Sequence, residues 1–300
     1  MTLTKYSPIL EGNLGINRII EIKNNHSKNY LRHLSQGIKR QGYDLLIDVH
    51  NSLRSKYIRF KTNSQNWLTY RKPRLKRFSL FNMHTDYFDS KFKLGNEYIK
   101  LLDKEVDGNS FNSKIYLSEI EKKRCRRILD SYGVPNQFIA FVPGASWKNK
   151  IWTTQNYVEL INQLSNSGDL GIVLLGGSGD GICNEISDQV PGSFNLKGKT
   201  KLRTSFAILS LAQFAVGSDT GLIHGAEAVG TPVIMICGPT SYQTGASVQG
   251  LNSIAIESDV WCRPCSKNGS SPCYRSEQFC MTQITPTKML NSIQEILLAV

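Results

Sequence analysis

Residues 217–240, GSDTGLIHGAEAVGTPVIMICGPT, contain the residue types that a binding site for an anion needs. A short apolar strand is predicted at 214–216, then an acidic residue, a hydroxyl and a glycine (Asp219, Thr220, Gly221), and then a helix of small residues at 222–229. The first N–H groups of a helix and the positive end of its dipole attract anions. The segment therefore predicts a phosphate site, although its small residues also suit close packing of an ordinary strand–turn–helix unit.

Two other loops carry candidate groups for the same anion. The turn Gly144-Ala145-Ser146 precedes Lys150, and Gly177 lies in a glycine-rich turn after another predicted strand. A cation opposite backbone N–H groups would stabilise the negative charge that grows on a departing diphosphate, and Lys150 could supply it without a metal. The alternative for Lys150 is an ordinary exposed loop lysine.

Two nucleotide-binding patterns are missing. The glycine-rich turn at 176–179 does not match G-x-G-x-x-G, and no acidic residue follows the next strand at the expected place. The phosphate-binding loop G-x4-G-K-[ST] of ATP hydrolases is also not found. The sequence therefore argues against a hydride-transferring enzyme and against an ATP hydrolase.

The second half of the chain alternates strands and helices. Strands are predicted at 138–142, 171–175, 193–196, 214–216 and 233–237. Helices are predicted at 154–167, from the turn at 176–180 to about residue 190, at 202–212 and at 222–229. This alternation predicts an α/β fold with a doubly wound parallel sheet. Ligands of such sheets bind at the carboxyl ends of the strands, where the loops 143–150, 176–180 and 217–224 would meet.

The first half is harder to interpret from its residues. Strands are predicted at 17–22 and 44–49, and helices at 26–41, near 53–60 and near 90–102. Ser118 and Glu121 form a capping box that opens a helix ending at Gly133. Thr285 and Pro286 mark the start of a last helix with an apolar face. We expect two domains, 1–134 and 135–300, with the last helix able to pack back on the first.

The charge of the chain is strongly basic and unevenly distributed. Its 36 lysines and arginines exceed its 24 acidic residues by 12, and no acidic residue lies between Val49 and Thr85. The cations of that segment are Arg54, Lys56, Arg59, Lys61, Arg71, Lys72, Arg74, Lys76 and Arg77. Nucleic acid, an acidic membrane surface or a phosphorylated or carboxylated glycan would each suit such a patch, and a solvated basic face is the alternative.

The rest of the composition indicates a globular protein. No apolar run approaches the ~20 residues of a membrane-spanning helix, and the opening MTLTKYSPIL lacks the pattern of a signal peptide, so a cytoplasmic location is expected. Four cysteines follow the pattern C-x2-C-x7-C-x6-C at Cys262, Cys265, Cys273 and Cys280. Thiols with a structural role are favoured over a metal site, and a metal site over disulfides.

Several segments together resemble the heptosyltransferase family of bacterial glycosyltransferases, which build the inner core of lipopolysaccharide. They are DTGLIHGAEAVGTPVIMICGPT, PGASWKNKIW, LLGGSGD, LKGKTKLR and CRPC…CMTQITP, with YSPILEGN and YDLLIDVHNSLRS in the first half. The resemblance covers nearly the whole chain. It implies a GT-B fold of two Rossmann-like domains, with an ADP-heptose donor on the C-terminal domain and the acceptor on the N-terminal one.

The resemblance also implies roles for particular residues. The donor's phosphates and sugar would be held by Asp219, Thr220, Gly221, Leu222 and His224. The diphosphate would be neutralised by Lys150, with Ser146, Gly144 and Gly177 close to it. Asn51 and Arg54 would face an anionic lipopolysaccharide-core acceptor at the inner face of the membrane. The cations of the basic segment would then attract this acceptor. No cofactor, metal or nucleic acid is expected. The reaction would invert the configuration at the anomeric carbon of the transferred sugar.

One family element has no counterpart in this sequence. The family begins with a strand and a Gly-Asp loop whose aspartate is thought to act as general base, whereas residues 2–13 resemble sequence well inside its first domain. We therefore expect an incomplete N-terminal domain, either because Met1 is an internal methionine of a longer gene or because the chain is truncated. Asp48 or His50 could substitute as a base. The alternative function is a nucleotide-sugar-binding protein with impaired catalysis.

Overall fold

The computed structural model describes residues 1–90, 92–102, 112–165, 170–250 and 252–299. Up to residue 131 its strands have only two or three residues each. They are strands β1 (Thr2–Leu3), β2 (Glu21–Ile22), β3 (Leu46–Asp48) and β4 (Trp67–Thr69), a 3-10 helix at Thr4–Leu10, and helices α1 (Lys28–Gln41), α2 (Leu53–Thr62), α3 (Arg74–Asn82), α4 (Leu94–Ile99) and α5 (Glu119–Ser131).

The strands of the first half form two separate parallel pairs. Strand β1 pairs with β2 and β3 with β4, and neither sheet gains a third strand from the described residues. The predicted strands at 17–22 and 44–49 are in the right places but shorter than expected. A strand is only as long as its partner allows: β1 offers two residues for pairing and β4 offers three. Strand β4 and helix α3 were not predicted.

The second half is built around one larger sheet. Its elements are β5 (Phe138–Val142), α6 (Thr154–Ser165), β6 (Gly171–Leu174), α7 (Ile182–Gln189), β7 (Phe194–Asn195), α8 (Leu202–Leu209), β8 (Ala215–Ser218), α9 (Gly221–Ala228), β9 (Val233–Ile236), β10 (Ser253–Ile256), α10 (Phe279–Thr282) and α11 (Pro286–Ala299). All six strands are parallel, in the order β10-β9-β8-β5-β6-β7. The predicted doubly wound parallel sheet is confirmed.

The order of the strands reverses between β5 and β8. From β5 the chain winds outward through β6 and β7, and from β8 it winds outward in the other direction through β9 and β10. At such a switch point the loops leaving two adjacent strands part to opposite faces and leave a crevice between them. The loop that carries Lys150 follows β5, and the turn that carries Asp219 follows β8.

Alternating residues of β5 explain how both faces of the sheet become covered. Ile139 and Phe141 lie in an apolar cluster with side chains of α6, α7 and α11, whereas Phe138 and Ala140 lie in a second cluster with side chains of α5, α8 and α9. All four side chains are fully buried. A strand covered on both faces is apolar throughout, which is why FIAFV was recognisable in the sequence.

Helices α5 and α11 both pack on the second-half sheet. The predicted capping box of α5 is present between Ser118 and Glu121. The side chain of Leu129 on α5 is buried in the apolar cluster that also contains side chains of α8. The side chains of Met289 and Ile293 on α11 are buried in the second-half core, and packing of this helix back on the first domain stays a prediction. The division at 134/135 stays a prediction.

Some predicted features lie outside the described residues or are shorter than expected. The predicted end of the helix at 154–167 falls partly beyond residue 165. The helix predicted near 90–102 is observed only as α4. None of the described helices is both long and apolar enough to cross a membrane.

Arg203 of α8 joins the two halves of the chain. Its guanidinium donates to the carbonyls of Pro8 at 2.8 Å and Tyr116 at 2.7 Å, and it forms an ion pair with Glu121. The hydrogen bond from Arg203 is the main reason why the pKa of Glu121 falls to about 2. One side chain therefore connects the 3-10 helix near the N-terminus with α5 and α8.

Candidate active site

Asp219 follows strand β8 and is the centre of a polar cluster. Only 8% of its side chain is exposed. Its Oδ2 accepts hydrogen bonds from Lys150 Nζ at 3.0 Å and from Thr240 Oγ1 at 2.8 Å, and its Oδ1 lies 3.2 Å from His224 Nε2. The structure thus brings together Lys150, Asp219 and His224, three predicted site residues from different segments.

The carboxylate of Asp219 is held in its charged form. Burial alone would raise its pKa, but the hydrogen bond to His224 and the charge of Lys150 outweigh burial and keep the pKa well below the usual range of an aspartate. An ammonium group has three N–H donors, so Lys150 can bond Asp219 and still present donors to an anion. The pair therefore holds a cation at a fixed place in the crevice.

Helix α9 starts beside this pair. The Oγ1 of Thr220 caps the helix by accepting a hydrogen bond from the Ile223 amide, at 3.5 Å. The amides of Gly221 and Leu222 belong to the first turn, where a helix offers them no acceptor. A Cβ placed on Gly221 would meet nothing within 4 Å, so open space lies beside it. These predicted residues can donate two backbone N–H groups to an anion there.

The position of Lys150 is set by residues on both sides of it. Trp152 is fully buried and donates its indole N–H to the carbonyl of Ile284 at 2.8 Å, which anchors the loop that follows β5. Gly269 packs on the aliphatic part of Lys150: a Cβ on this glycine would lie 2.5 Å from Lys150 Cγ. The ammonium can therefore reach Asp219 but has little freedom to move elsewhere.

Gly144 and Gly177 lie at the same edge of the sheet and contact Asp180. A Cβ on Gly144 would lie 2.3 Å from Asp180 Cγ, and the amide of Gly177 donates to Asp180 Oδ2 at 2.6 Å. The two glycines thus make room for this carboxylate. Ser146 is exposed in the loop after β5. Contacts of these three residues with a donor stay predictions.

The turn after β3 fixes the predicted acceptor-side residues. Asp48 is buried, and its Oδ1 accepts from the amides of His50 at 3.0 Å and Asn51 at 2.8 Å. Asn51 has a left-handed backbone with φ +43°, and its Nδ2 donates to the carbonyl of Tyr70 at 2.9 Å. Arg54 follows in the first turn of α2. Asp48 therefore organises the turn.

Cations from both halves of the chain surround His50. Burial lowers the pKa of its imidazole, and the charges of Lys72, Arg54 and Lys267 lower it further, against an opposite effect of Asp48. Lys267 belongs to the cysteine-containing loop of the second half. The cleft between the halves thus concentrates positive charge, which favours an anionic ligand.

A family model decides which proteins this cleft should be compared with. The model described as glycosyltransferase family 9 (heptosyltransferase) matches residues 31–274, which include Lys150, Asp219 and His224. The chain belongs to glycosyltransferase family 9. The resemblance seen in the sequence is thereby confirmed.

A curated family 9 relative gives the same result over part of the chain. Lipopolysaccharide heptosyltransferase 2 of Salmonella typhimurium is 36% identical over 110 residues, which cover 34% of this chain and 31% of the relative. The alignment thus spans about a third of the relative's length.

Solved family 9 structures share the fold. A glycosyltransferase of family 9 from Veillonella parvula superposes with a TM-score of 0.78 at 17% identity, over 100% of this chain and 88% of that one. The ADP-heptose lipopolysaccharide heptosyltransferase II of E. coli superposes with a TM-score of 0.72 at 21% identity, over 99% and 88%. These likenesses confirm the expected GT-B fold.

Two residues that support the family 9 site were missed in the sequence. Thr240 bonds Asp219, and its own loop is held by Arg263, which donates to the carbonyls of Cys237 and Thr240, each at 2.9 Å. Thr240 belongs to the G-P-T element that carried the resemblance, so a signal for it existed. Nothing in the spacing of Arg263 indicated that its guanidinium would fold back onto this loop.

The four clustered cysteines lie together next to this site. All four thiols are free and line one cavity of about 20 Å³. Burial raises the pKa of the thiols of Cys265 and Cys280, the latter to about 11. Among the described residues, no group of three or more histidine, cysteine or acidic side chains is arranged to hold a metal ion.

Proposed function

We propose that the chain transfers heptose, or a related sugar, from ADP-heptose to an anionic acceptor of the lipopolysaccharide inner core. The observation that carries the proposal is the Lys150–Asp219–His224 cluster at the switch point of the C-terminal sheet, in a chain of family 9. A cation and two open helix amides face the same crevice, which suits the diphosphate of a sugar nucleotide.

The chemical step is a displacement at the anomeric carbon of the donor sugar. The acceptor hydroxyl gives its proton to a general base, for which Asp48 and His50 are the candidates in this chain, and attacks that carbon while the bond to the diphosphate oxygen breaks, so that ADP leaves from the opposite side and the configuration inverts. Negative charge grows on the leaving oxygen. Lys150, which is held by Asp219, and the amides of Gly221 and Leu222 in the first turn of α9 would stabilise it without a metal ion.

Asp219 acts on this reaction through Lys150 and His224. It holds the ammonium of Lys150 at 3.0 Å and the imidazole of His224 at 3.2 Å. Because all three side chains are positioned before the donor arrives, little reorganisation is needed during the reaction. Asp219 is therefore a positioning residue in this proposal, and Lys150 is the residue that contacts the diphosphate.

The acceptor would enter from the first half of the chain. Asn51 and Arg54 lie at the start of α2, and cations of the basic segment surround the neighbouring His50. These charges would attract the anionic core and the acidic membrane surface on which it is presented. This part of the proposal predicts a peripheral association at the cytoplasmic face, which sedimentation with anionic vesicles would test.

A transfer assay with a matched pair of lysine variants tests the proposed reaction. The full chain is incubated with ADP-heptose and a deacylated core acceptor, and released ADP is measured. Replacing Lys150 by alanine should lower kcat about 10²- to 10³-fold because one stabilising donor of the leaving group is lost. Lys148→Ala, an exposed lysine of the same turn, is the control and should keep the wild-type rate.

Two results would contradict parts of this proposal. An unchanged rate in the Lys150 variant would remove the role of that residue. ADP binding by the wild-type chain without any transfer, measured by calorimetry, would favour the alternative of a nucleotide-sugar-binding protein.

A further inference from the structure

A second polar cavity lies in the first half of the chain, between α2 and β4. Its volume is about 420 Å³, which falls within the range of about 300 to 1,000 Å³ typical of small-molecule sites. We call it the α2–β4 cavity. It is lined by Asn51, Lys56, Arg59, Trp67, Thr69 and Arg71.

The lining of the α2–β4 cavity is cationic and contains no acidic residue. Lys56, Arg59 and Arg71 bring three positive charges, and within the described part of the chain none of them forms an ion pair with a carboxylate. The guanidinium of Arg59 is fixed by a hydrogen bond of 2.6 Å from Nη1 to Thr69 Oγ1, which leaves its other N–H groups available. Unpaired cations around a cavity favour an anion, and guanidinium groups suit phosphate oxygens.

Two buried polar atoms of the lining residues have no hydrogen-bond partner among the residues that the structure describes. They are the indole Nε1 of Trp67, a donor, and the Oδ1 of Asn51, an acceptor. Asn51 cannot turn to satisfy this oxygen, because its Nδ2 is bonded to Tyr70 and its amide to Asp48. A buried polar group without a partner costs free energy. A ligand that offers both an acceptor oxygen and a hydroxyl donor would satisfy both atoms, and a phosphorylated sugar offers several of each.

We propose that the α2–β4 cavity binds a phosphorylated sugar of the acceptor, at a place separate from the donor site. The inference rests on the proposed function, because it treats the first half as the acceptor side. The phosphoryl oxygens would accept from Lys56, Arg59 and Arg71, and a sugar hydroxyl would donate to Asn51. The turn that ends in Asn51 continues into the N-terminus of α2, where Arg54 lies, so one acceptor molecule could contact both.

A single-stranded nucleic acid is the competing ligand of the same charge. Proteins that bind such strands present several aromatic rings on an open groove, on which successive bases stack. The α2–β4 cavity contains one aromatic side chain, Trp67, whose buried indole nitrogen requires a hydrogen-bond acceptor. The lining therefore suits one phosphorylated sugar better than a run of bases.

A binding experiment with lysine variants tests the cavity. The full chain, saturated with ADP to occupy the donor site, is titrated with glucose 6-phosphate, inorganic phosphate and glucose. Glucose 6-phosphate should bind most tightly of the three. Lys56→Ala should lower the affinity for glucose 6-phosphate roughly 3- to 10-fold because one charged donor is removed. Lys61→Ala is the matched control: it removes the same charge from the same helix, and Lys61 contacts the rings of Tyr57 and Phe60 instead of the cavity.

A second variant and a kinetic measurement complete the test. Arg59→Lys keeps the charge but loses the planar geometry of the guanidinium. This variant should also bind glucose 6-phosphate more weakly than the wild type does. In the transfer assay, Lys56→Ala should raise the KM of a phosphorylated acceptor several-fold and the KM of the dephosphorylated acceptor much less. Circular dichroism checks that each variant is folded.

The possible outcomes separate the cavity from the proposed reaction. Equal affinity of the Lys56 and Lys61 variants for glucose 6-phosphate would overturn the assignment, as would tight binding of single-stranded DNA that depends on Lys56 without binding of the sugar phosphate. A chain that binds glucose 6-phosphate through Lys56 but transfers no sugar would support the cavity and contradict the proposed function.

Discussion

Asp219 combines a structural role with the positioning role that we propose for it. Its two oxygens are used by Lys150, Thr240 and His224, and only 8% of its side chain is exposed, so little of the carboxylate is open to a ligand. A ligand would instead meet the groups that Asp219 holds. The sequence indicated an acidic residue at an anion site, and the structure explains this apparent conflict: the negative charge fixes the positive one.

Replacing Asp219 by asparagine tests this account through stability. The variant leaves the ammonium of Lys150, of which 11% is exposed, without a charged partner. Removing one member of a buried pair costs about 3 kcal/mol, so the midpoint of denaturant unfolding should fall clearly. Asp188→Asn, at an exposed position of α7, should leave the midpoint unchanged. A stable Asp219 variant would show that Lys150 finds another partner.

The site residues differ in how visible they were in the sequence. Asp219, Lys150 and His224 belong to short motifs whose spacing already predicted a turn, a cation and a helix. Gly269 was not foreseen, because a glycine in a loop carries no information about which side chain packs on it. Contacts between distant segments depend on the tertiary fold, and local patterns do not contain them.

Secondary structure elements followed the sequence best where they are buried on both faces. Strand β5 matches its predicted bounds. In an α/β fold, a short run of apolar residues between turn residues predicts a strand that is buried on both faces. In the first half, β3 and β4 have only three residues each, and their side chains are partly exposed in most positions. Elements with so little burial leave a weak pattern.

The start of α5 allows a prediction about acid stability. The pKa of Glu121 is lowered from 4.5 to about 2, chiefly by the hydrogen bond from Arg203. A lowered folded-state pKa stabilises the fold above the unfolded value, and this contribution disappears as the pH falls from about 4.5 towards 2. Glu121→Gln keeps the capping box but loses the charge. We expect the variant to unfold roughly 2 to 4 °C lower at pH 7.

In acid, the unfolding temperature of the Glu121→Gln variant should approach that of the wild type. Thermal unfolding followed by circular dichroism at pH 7 and near pH 2 measures this, with Glu119→Gln as control. Glu119 belongs to the same helix, but its side chain is 74% exposed and pairs with Lys122. A difference that persists near pH 2 would mean that packing, and not the charge, explains the effect.

At the scale of the whole molecule, a few direct contacts set the arrangement of the two halves. Gln243 donates to Asp86 Oδ2 at 2.7 Å, and the rings of His84 and Trp261 pack edge to face with centroids 5.0 Å apart. The loop after β9 approaches α4 so closely that a Cβ on Gly245 would lie 2.7 Å from Leu94 Cδ2. The residues predicted to contact the acceptor thereby belong to a part of the chain that contacts the loops of the second-half sheet.

Gly245→Ala should disturb this arrangement. Gly245 has φ +85°, a conformation that alanine adopts only with strain, and the added methyl group would contact Leu94. We expect a loss of about 1 kcal/mol or more in unfolding free energy and a higher KM for the acceptor. Gly37→Ala is the control, since it lies inside α1 with nothing within 4 Å and should stabilise the chain by about 0.5 to 1 kcal/mol. Equal effects of both changes would contradict the proposed contact.

The contact between Gly269 and Lys150 couples the length of the cysteine-containing loop to the position of Lys150. The length of the connection between β10 and α11 determines where Gly269 lies, and hence how far a lysine from the other end of the domain can reach. An insertion or deletion between Cys265 and Cys273 would move that lysine although it leaves every predicted donor-binding motif intact.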